Sequence, residues 1–431
     1  MRLLFLSALR KTLHETTIGV DLAAQLAGAG IRSHFVVDLF NEEQLKAADL
    51  PHTLLDPSMG PAVRDVVRGA VHDFRPDAIV LADYLGHWMT FDVGYSVDPW
   101  FIDEFDLPVI PIDLYDLENT TREVEVLGRT VQVSDRILGM GRHLQPVPMS
   151  RPTAVPGRLG RPYRVTRSTE PLTAARRAEV RRSLGLGERD RLLMVPTLPW
   201  QESMRLHAGP ATRELAARVP ELVVRYLRRL PADTHFLLTG PVFAGVEGLP
   251  PDRVHLRPAY GAREYDELVG TSDAVWSFHL PSFALERAVF ADVPGMLSVN
   301  GFDVAGPADA DRLAEAFGGL SPTVARWLAD YPGAVPSFHM WPLRWNSVLA
   351  PLMVDNPFGD AVERVELFDE AAVVGGLHDL LHDPGTRDRL AAARARYRDL
   401  IDALPPTPEV FLAATRELGI ADPEPVTGGT T

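Results

Sequence analysis

The chain has 431 residues, 46% apolar and 23% charged, the composition of an ordinary globular protein with room for two or three domains. Its formal net charge of −15 argues against nonspecific nucleic-acid binding, and any phosphate ligand needs a locally positive pocket. The absence of cysteine excludes disulfides and thiolate chemistry, and no apolar run is long enough to predict a membrane span.

The opening MRLLFLSALRKTLHE shares the charge and apolar start of a secretory leader. Its apolar run is short, no small-residue cleavage site follows, and it opens a strand-helix-strand pattern instead. A cytoplasmic protein is expected, in keeping with the lack of cysteine. Residues 2–8 read as a buried parallel strand. The loop behind it carries Arg10, Lys11, His14 and Glu15. Ile18, Leu22, Leu26 and Ala29 then share one helix face, Gly30 ends the helix, and 31–37 is the next strand. No Gly-x-Gly-x-x-Gly follows the first strand, so this is not a dinucleotide fingerprint. Val63, Val66, Val67, Ala70, Val71 and Phe74 form a second helical stripe. Arg75-Pro76-Asp77 breaks it, and 78–82 is a strand leading to Asp83. A further strand at 107–112 opens onto Asp113, Tyr115, Asp116 and Glu118, and 124–133 alternates weakly, as a hairpin does.

Residues 146–171 are rich in Pro, Arg and Gly and read as the connection between two domains with its flanks. Arg151, Arg158, Arg161, Arg164 and Arg167 within it are either solvated linker charges or side chains that reach a phosphate. Helices are expected at 174–184 and 211–230, the second burying Leu215, Val219, Leu222, Val223 and Tyr226. Strands are expected at 191–196, 235–239 and 254–257, with a short helix at 265–269. This alternation favours a second doubly wound sheet. Residues 303–352 read as an insertion with two helix candidates and the aromatic-rich SFHMWPLRW. Helices follow at 373–381, 386–402 and 408–418, and the tail from Asp422 is expected to be unstructured. His378 and His382 stand at a spacing that can bind metal, but the Glu of a zincin motif is missing and no metal is expected.

The most informative stretch is 271–299, TSDAVWSFHLPSFALERAVFADVPGMLSV. An apolar strand at 273–278 leads into the polar loop His279-Leu280-Pro281-Ser282, a helix runs to Asp292, Pro294 stops it, and a second strand begins at Gly295. The loop lies at the carboxyl end of a parallel strand, where open α/β sheets bind ligands, and the helix start offers unpaired N–H groups to an anion. The competing reading is that Ser282 only caps the helix.

The pattern Ser282, Ala288-Val289, Asp292-Val293-Pro294 resembles the donor-binding helix of nucleotide-sugar glycosyltransferases with the GT-B fold. RPDAIVLADY, at 75–84, and RRSLGLGERDRLLMVPTLPW, at 181–200, resemble segments of the N-terminal and C-terminal domains of that family. LLHDPGTRDRL, at 380–390, resembles its late helix-turn-helix. Two departures stand out. Counting back from Pro294, the family's ribose-binding Glu falls on Arg287, with Glu286 one residue earlier, and the glycine before Val-Pro is replaced by Asp292.

The resemblance implies an α/β GT-B fold, two doubly wound Rossmann-like domains facing a cleft. It implies an acceptor domain at 1–150, a linker at 151–172, and a donor domain at 173–404 carrying the insertion. A crossing helix and tail are implied at 405–431. It implies a metal-independent glycosyltransferase with a nucleoside-diphosphate sugar as co-substrate and no other cofactor. Donor contacts fall on Trp200, His279, Ser282, Phe283, Glu286, Asp355 and Asn356, with the backbone amides of 199–201 as a second wall. A packed tryptophan and an idle loop histidine remain the plain readings of Trp200 and His279. For the base the family carries a Gly-His pair in the first strand-helix loop; here Leu13-His14 occupies that place. An imidazole accepts a hydroxyl proton near neutral pH without a special environment. Glu15 is its rival, with helix initiation as the alternative role, and His87 is in reserve. Asp83 or Asp113 is placed to orient His14.

The acidic, span-free character favours a small-molecule acceptor, with natural-product tailoring as a setting and a homodimer compatible with it. Two alternatives stay open. One is a nucleotide-sugar 2-epimerase of the same fold, with Glu286, Asp355, Asp113 and Glu118 as its acids. The other is a noncatalytic GT-B-like binding or activating partner.

Overall fold

The computed structural model describes residues 1–10, 12–126, 129–165, 170–280 and 282–423. Lys11, Arg167, Pro281 and the tail from 424, all part of the sequence expectations, lie outside the described residues. The chain divides into two compact units, one of Met1–Arg122, Gln132–Thr166 and Leu400–Thr431, the other of Glu123–Val131 and Arg167–Asp399.

The strands in chain order begin with β1 (Arg2–Ser7), β2 (Arg32–Asp38), β3 (His52–Leu55), β4 (Ala78–Leu81) and β5 (Val109–Pro111). Short pairs follow, β6 (Glu123–Val126) with β7 (Arg129–Gln132) and β8 (His143–Val147) with β9 (Gly160–Arg164). The last six are β10 (Arg191–Pro196), β11 (Thr234–Thr239), β12 (Val254–Arg257), β13 (Ala274–Ser277), β14 (Gly295–Val299) and β15 (Glu363–Glu366).

In the first unit β3-β2-β1-β4-β5 form one parallel sheet, with Leu3 opposite both Ser33 and Ala78. Leu3, Leu4, Phe5, Ile79, Val80 and Leu81 are buried, which is why their sequence reads as unbroken apolar runs rather than alternation. The helix His14–Ala27 buries Ile18, Leu22 and Leu26, and the structure places the C-terminal helix Thr407–Glu417 beside it. Thr407 Oγ1 donates to Arg164 O at 2.8 Å. Part of the stretch expected to be a connector is therefore a strand, β9, parallel to β8.

The second unit holds the six-stranded parallel sheet β12-β11-β10-β13-β14-β15. The helix Pro210–Leu227 buries Leu215, Val219, Leu222, Val223 and Tyr226 against it. The insertion contains the two expected helices, Pro307–Ala316 and Pro322–Asp330, and Trp327 is buried in the main core. Its end does not stay apart from the sheet. Residues 335–341 run antiparallel to 300–304 and 278–280, with Asn300 N donating to Phe338 O at 2.9 Å and Trp341 N to Phe278 O at 2.9 Å.

Both sheets reverse direction of growth once. The order leaves β1 toward β2 on one side and β4 on the other; in the second sheet the same happens at β10, between β11 and β13. Crossovers leave opposite faces at such points, so the loops after the two central strands part and open a crevice for ligands. No helix among the described residues is long and apolar enough to cross a membrane.

Candidate functional site

The first switch point gathers the loop after β1, the Asp83 turn after β4 and the segment after β5. Ser7, which ends β1, shares a 2.7 Å hydrogen bond with Thr16. Thr12 donates to Glu15, and Glu15 is buried at the start of its helix. Asp83 is buried as well. Its Oδ1 accepts from Leu85 N at 2.9 Å, which starts the helix Tyr84–Met89, and the Tyr115 hydroxyl donates to Oδ2 at 3.5 Å. A Cβ on Gly86 would lie 2.8 Å from Asp83 Oδ2, so only glycine lets the carboxylate sit there. Asp113 is saturated by the amides of Tyr115 and Leu117 and faces His143 at 3.5 Å.

Burial pushes the Asp83 carboxyl well above the usual carboxylate range, and the Glu15 charge adds to it. Glu15 is raised too, by burial. Two carboxyls that feel each other away from water do not both ionise at low cost, which favours the protonated form of each. Asp83 is placed by the sequence reading to orient His14; in the structure it feels the charges of Glu15 and Asp113. His14 is half-buried as the first residue of its helix. His87 is a core side chain, its Nε2 2.9 Å from Pro99 O and its ring against Phe91 and Trp100. Burial drives its pKa down to about 4.

The second switch point gathers the loop after β10 and the loop after β13. Gly240 adopts φ +86°, and a Cβ there would fall 2.1 Å from Thr197 O. That close approach lets Thr197 Oγ1 donate to Thr239 O at 3.0 Å and ties the end of β10 to β11. The expected backbone wall at 199–201 is the first turn of a helix, Pro199–His207. Gln201 is buried; it accepts from Leu198 N at 2.9 Å and donates to Trp341 O at 3.1 Å. Thr197, Gln201, Arg205, Pro241, Phe243 and Trp341 line a small cavity. In the loop after β13 Ser282 caps the helix Phe283–Phe290, accepting from Leu285 N at 3.4 Å, and shares a 2.9 Å bond with Ser277. His279 is buried, within 3.4 Å of Ser277 Oγ and edge-on to the Trp200 ring. Burial drives its pKa to about 4, so it is neutral at pH 7 and offers one N–H.

Residues 22–419 match the model of a family described as "Family of unknown function (DUF6365)". The chain belongs to the DUF6365 family. No curated protein matches its sequence. Solved structures do match its fold. The spinosyn forosaminyltransferase SpnP is 16% identical at a TM-score of 0.55, with 97% of this chain and 99% of that one covered. Anabaena Alr3699/HepE in complex with UDP and glucose is 11% identical at 0.55, with the same coverage. The glycosyltransferase VinC in complex with dTDP is 13% identical at 0.53, covering 98% and 100%. The DUF6365 chain is thus an α/β protein with the GT-B fold, built on two parallel Rossmann-like sheets.

At these switch points the DUF6365 chain brings together Glu15 with Asp83, and Trp200 and His279 with Ser282. Other expected donor residues are engaged elsewhere. Glu286 is buried where its charge reaches Tyr397 on the helix Pro384–Asp402. Arg287, where the sequence resemblance puts a ribose-binding Glu, pairs with Asp266 at 2.7 Å between the rings of Tyr265 and Phe283. Asn356 donates to Leu352 O and accepts from Phe358 N, folding its own turn, while Asp355 beside it is exposed. His378 and His382 lie in the last two turns of the helix Glu370–His382, ring centroids 5.0 Å apart and tilted by 34°. Sequence reasoning noted Tyr115 and the backbone of 199–201 but gave no role to the Tyr115 or Gln201 side chains, and it left Trp341 within the aromatic-rich run of the insertion. Tyr115 and Gln201 each follow the end of a buried strand, β5 and β10, within a few residues, and that is their local signal; nothing local announces Trp341.

Proposed function

We propose that this protein transfers a glycosyl group from a nucleoside-diphosphate sugar to a hydroxyl of a small molecule. Residues 173–404 take the donor and 1–150 the acceptor. The observation that supports this best is the pair of switch points, each lined by buried polar side chains, in a fold whose solved relatives include UDP- and dTDP-bound proteins. SpnP, a spinosyn forosaminyltransferase, supports natural-product tailoring as the setting, here as a cytoplasmic enzyme without a metal requirement.

The donor diphosphate lies against the first-turn amides of the helix Phe283–Phe290, with the neutral His279 donating its N–H. A helix terminus contributes on the order of 0.3–2 kcal/mol, so the terminus is one part of leaving-group stabilisation. His14 takes the acceptor proton. The raised pKa values of Glu15 and Asp83 favour their neutral forms, which limits the negative charge near the deprotonating hydroxyl.

Incubation with a panel of nucleotide sugars and candidate alcohols tests the reading. Diphosphate release that depends on the alcohol supports it. Sugar isomerisation without an acceptor points to an epimerase, and no turnover with any donor points to a binding partner; either outcome overturns it.

A further inference from the structure

The carboxyl edge of the first sheet has a second polar group beyond the Glu15–Asp83 pair. Asp38, the last residue of β2, is 3% exposed. Its Oδ1 accepts from Phe40 N at 2.9 Å. Its Oδ2 has no hydrogen-bond donor among the described residues and lies 3.4 Å from Arg10 Nε, whose side chain is half-exposed. Tyr95 is also 3% exposed, and its hydroxyl has no hydrogen-bond partner among the described residues. The charges of Asp38, Arg10 and Asp56 all reach that hydroxyl, and burial pushes it up to about 12, so it stays a neutral donor and acceptor. A buried hydroxyl left unpaired costs roughly 1–3 kcal/mol, a penalty that a ligand removes by pairing with it.

The segments that carry Asp38 and Tyr95, and the loop after β1 that is tied to the first of them, also bear exposed apolar side chains. Leu13, Leu39, Phe40 and Val93 are each 39–52% exposed. They belong to adjoining segments. Asn41 Nδ2 donates to Leu9 O at 3.3 Å, Gln44 Nε2 to Leu13 O at 3.4 Å, and Thr17 Oγ1 to Gln44 Oε1 at 2.7 Å. Val93 lies two residues before Tyr95 in the segment Thr90–Gly94 and its cap. Exposed apolar groups gathered on loops at the ligand-binding edge of a sheet mark a surface for an apolar ligand.

We infer that Leu13, Leu39, Phe40 and Val93 hold the apolar body of a small molecule, and that Tyr95 and Asp38 behind them bind one of its hydroxyls. The hydroxyl donates to Asp38 Oδ2 and accepts from Tyr95, with the Arg10 head group swinging aside to admit it. The inference rests on the acceptor reading above and gives that acceptor a class: an apolar, hydroxylated molecule rather than an anionic or sugar-like one.

The test is fluorescence titration of the full chain, without nucleotide sugar, by 1-naphthylmethanol, 1-methylnaphthalene and 1-naphthoate. The alcohol should bind about 3- to 10-fold tighter than the hydrocarbon, the net worth of one or two hydrogen bonds, and the carboxylate weakest. Tyr95→Phe should abolish the difference between alcohol and hydrocarbon without lowering thermal stability, because it removes an unpaired group. The double variant Leu39→Ser/Phe40→Ser should weaken alcohol and hydrocarbon alike by about tenfold or more. Equal loss of both probes in Tyr95→Phe, unchanged binding in the double variant, or a fall in thermal stability of Tyr95→Phe would overturn the inference. So would a change in sedimentation mass of the double variant, which would make this face a contact between copies. Probe binding that follows the expected pattern in a protein without acceptor-dependent turnover sinks the transferase reading and leaves the site for an apolar alcohol standing.

Discussion

Asp292 offers the sharpest test of how this sequence departs from its fold family. It sits at φ +59°, the left-handed region that costs a non-glycine residue about 1–2 kcal/mol. The carboxylate compensates. Arg394, whose side chain is 3% exposed, donates through Nε to Asp292 Oδ1 at 3.1 Å and through a terminal nitrogen to Asp292 O at 3.2 Å. Arg398 lies 3.4 Å from the same Oδ1 and donates to Val289 O at 2.8 Å. Removing one member of a buried pair costs about 3–5 kcal/mol, because the other is left charged and dry. Asp292 is 43% exposed, and water at its side discounts that to about 1.5–3 kcal/mol. Asp292→Ala keeps the backbone strain and loses the pair, so it should destabilise by about 2–3 kcal/mol. Asp292→Gly loses the pair but relieves roughly 1 kcal/mol of strain, so its loss should be about 1–2 kcal/mol. Urea unfolding followed by the fluorescence of the buried Trp276 and Trp327 reads both. A glycine variant more stable than the parent protein would refute the argument, since the arginine pair would then contribute less than the backbone strain it is said to offset.

Three further outcomes are expected. His14→Ala should leave donor affinity within about threefold and lower turnover by ~10²-fold or more, measured with donor and acceptor at saturation; near-normal turnover would make His14 structural. Glu15 and Asp83 have pKa values raised by folding, so the stability they permit is full below the ordinary carboxylate range and is lost as pH rises through the folded values. Glu15→Gln should flatten that decline, seen as a smaller difference between urea midpoints at pH 5 and pH 8; an unchanged difference would show that the pair does not titrate together. Gly240→Ala places a Cβ 2.1 Å from Thr197 O at a positive φ, and should destabilise by ~2 kcal/mol or more, or prevent folding; a parent-like melting temperature would contradict the close approach.

Most of the fold was legible in the chain itself. Buried parallel strands are apolar on both faces, so RLLFLS, AIVL and RLLMVP announce themselves, and their alternation with amphipathic helices implies two doubly wound sheets. The edge strands β3 and β15, HTLL and ERVE, escaped because their residues are mostly half-buried and carry no such run. The loops at both switch points were also legible, because ligand edges follow strand ends. What those loops assemble was not. Glu15 meets Asp83 because β1 and β4 are neighbours, and Gln201 meets Trp341 across 140 positions because the end of the insertion folds back beside β13. The exchange of a glycine for Asp292 is visible in the sequence. That Arg394 lies within reach to compensate for it is decided by packing between segments a hundred residues apart, where local pattern carries no information.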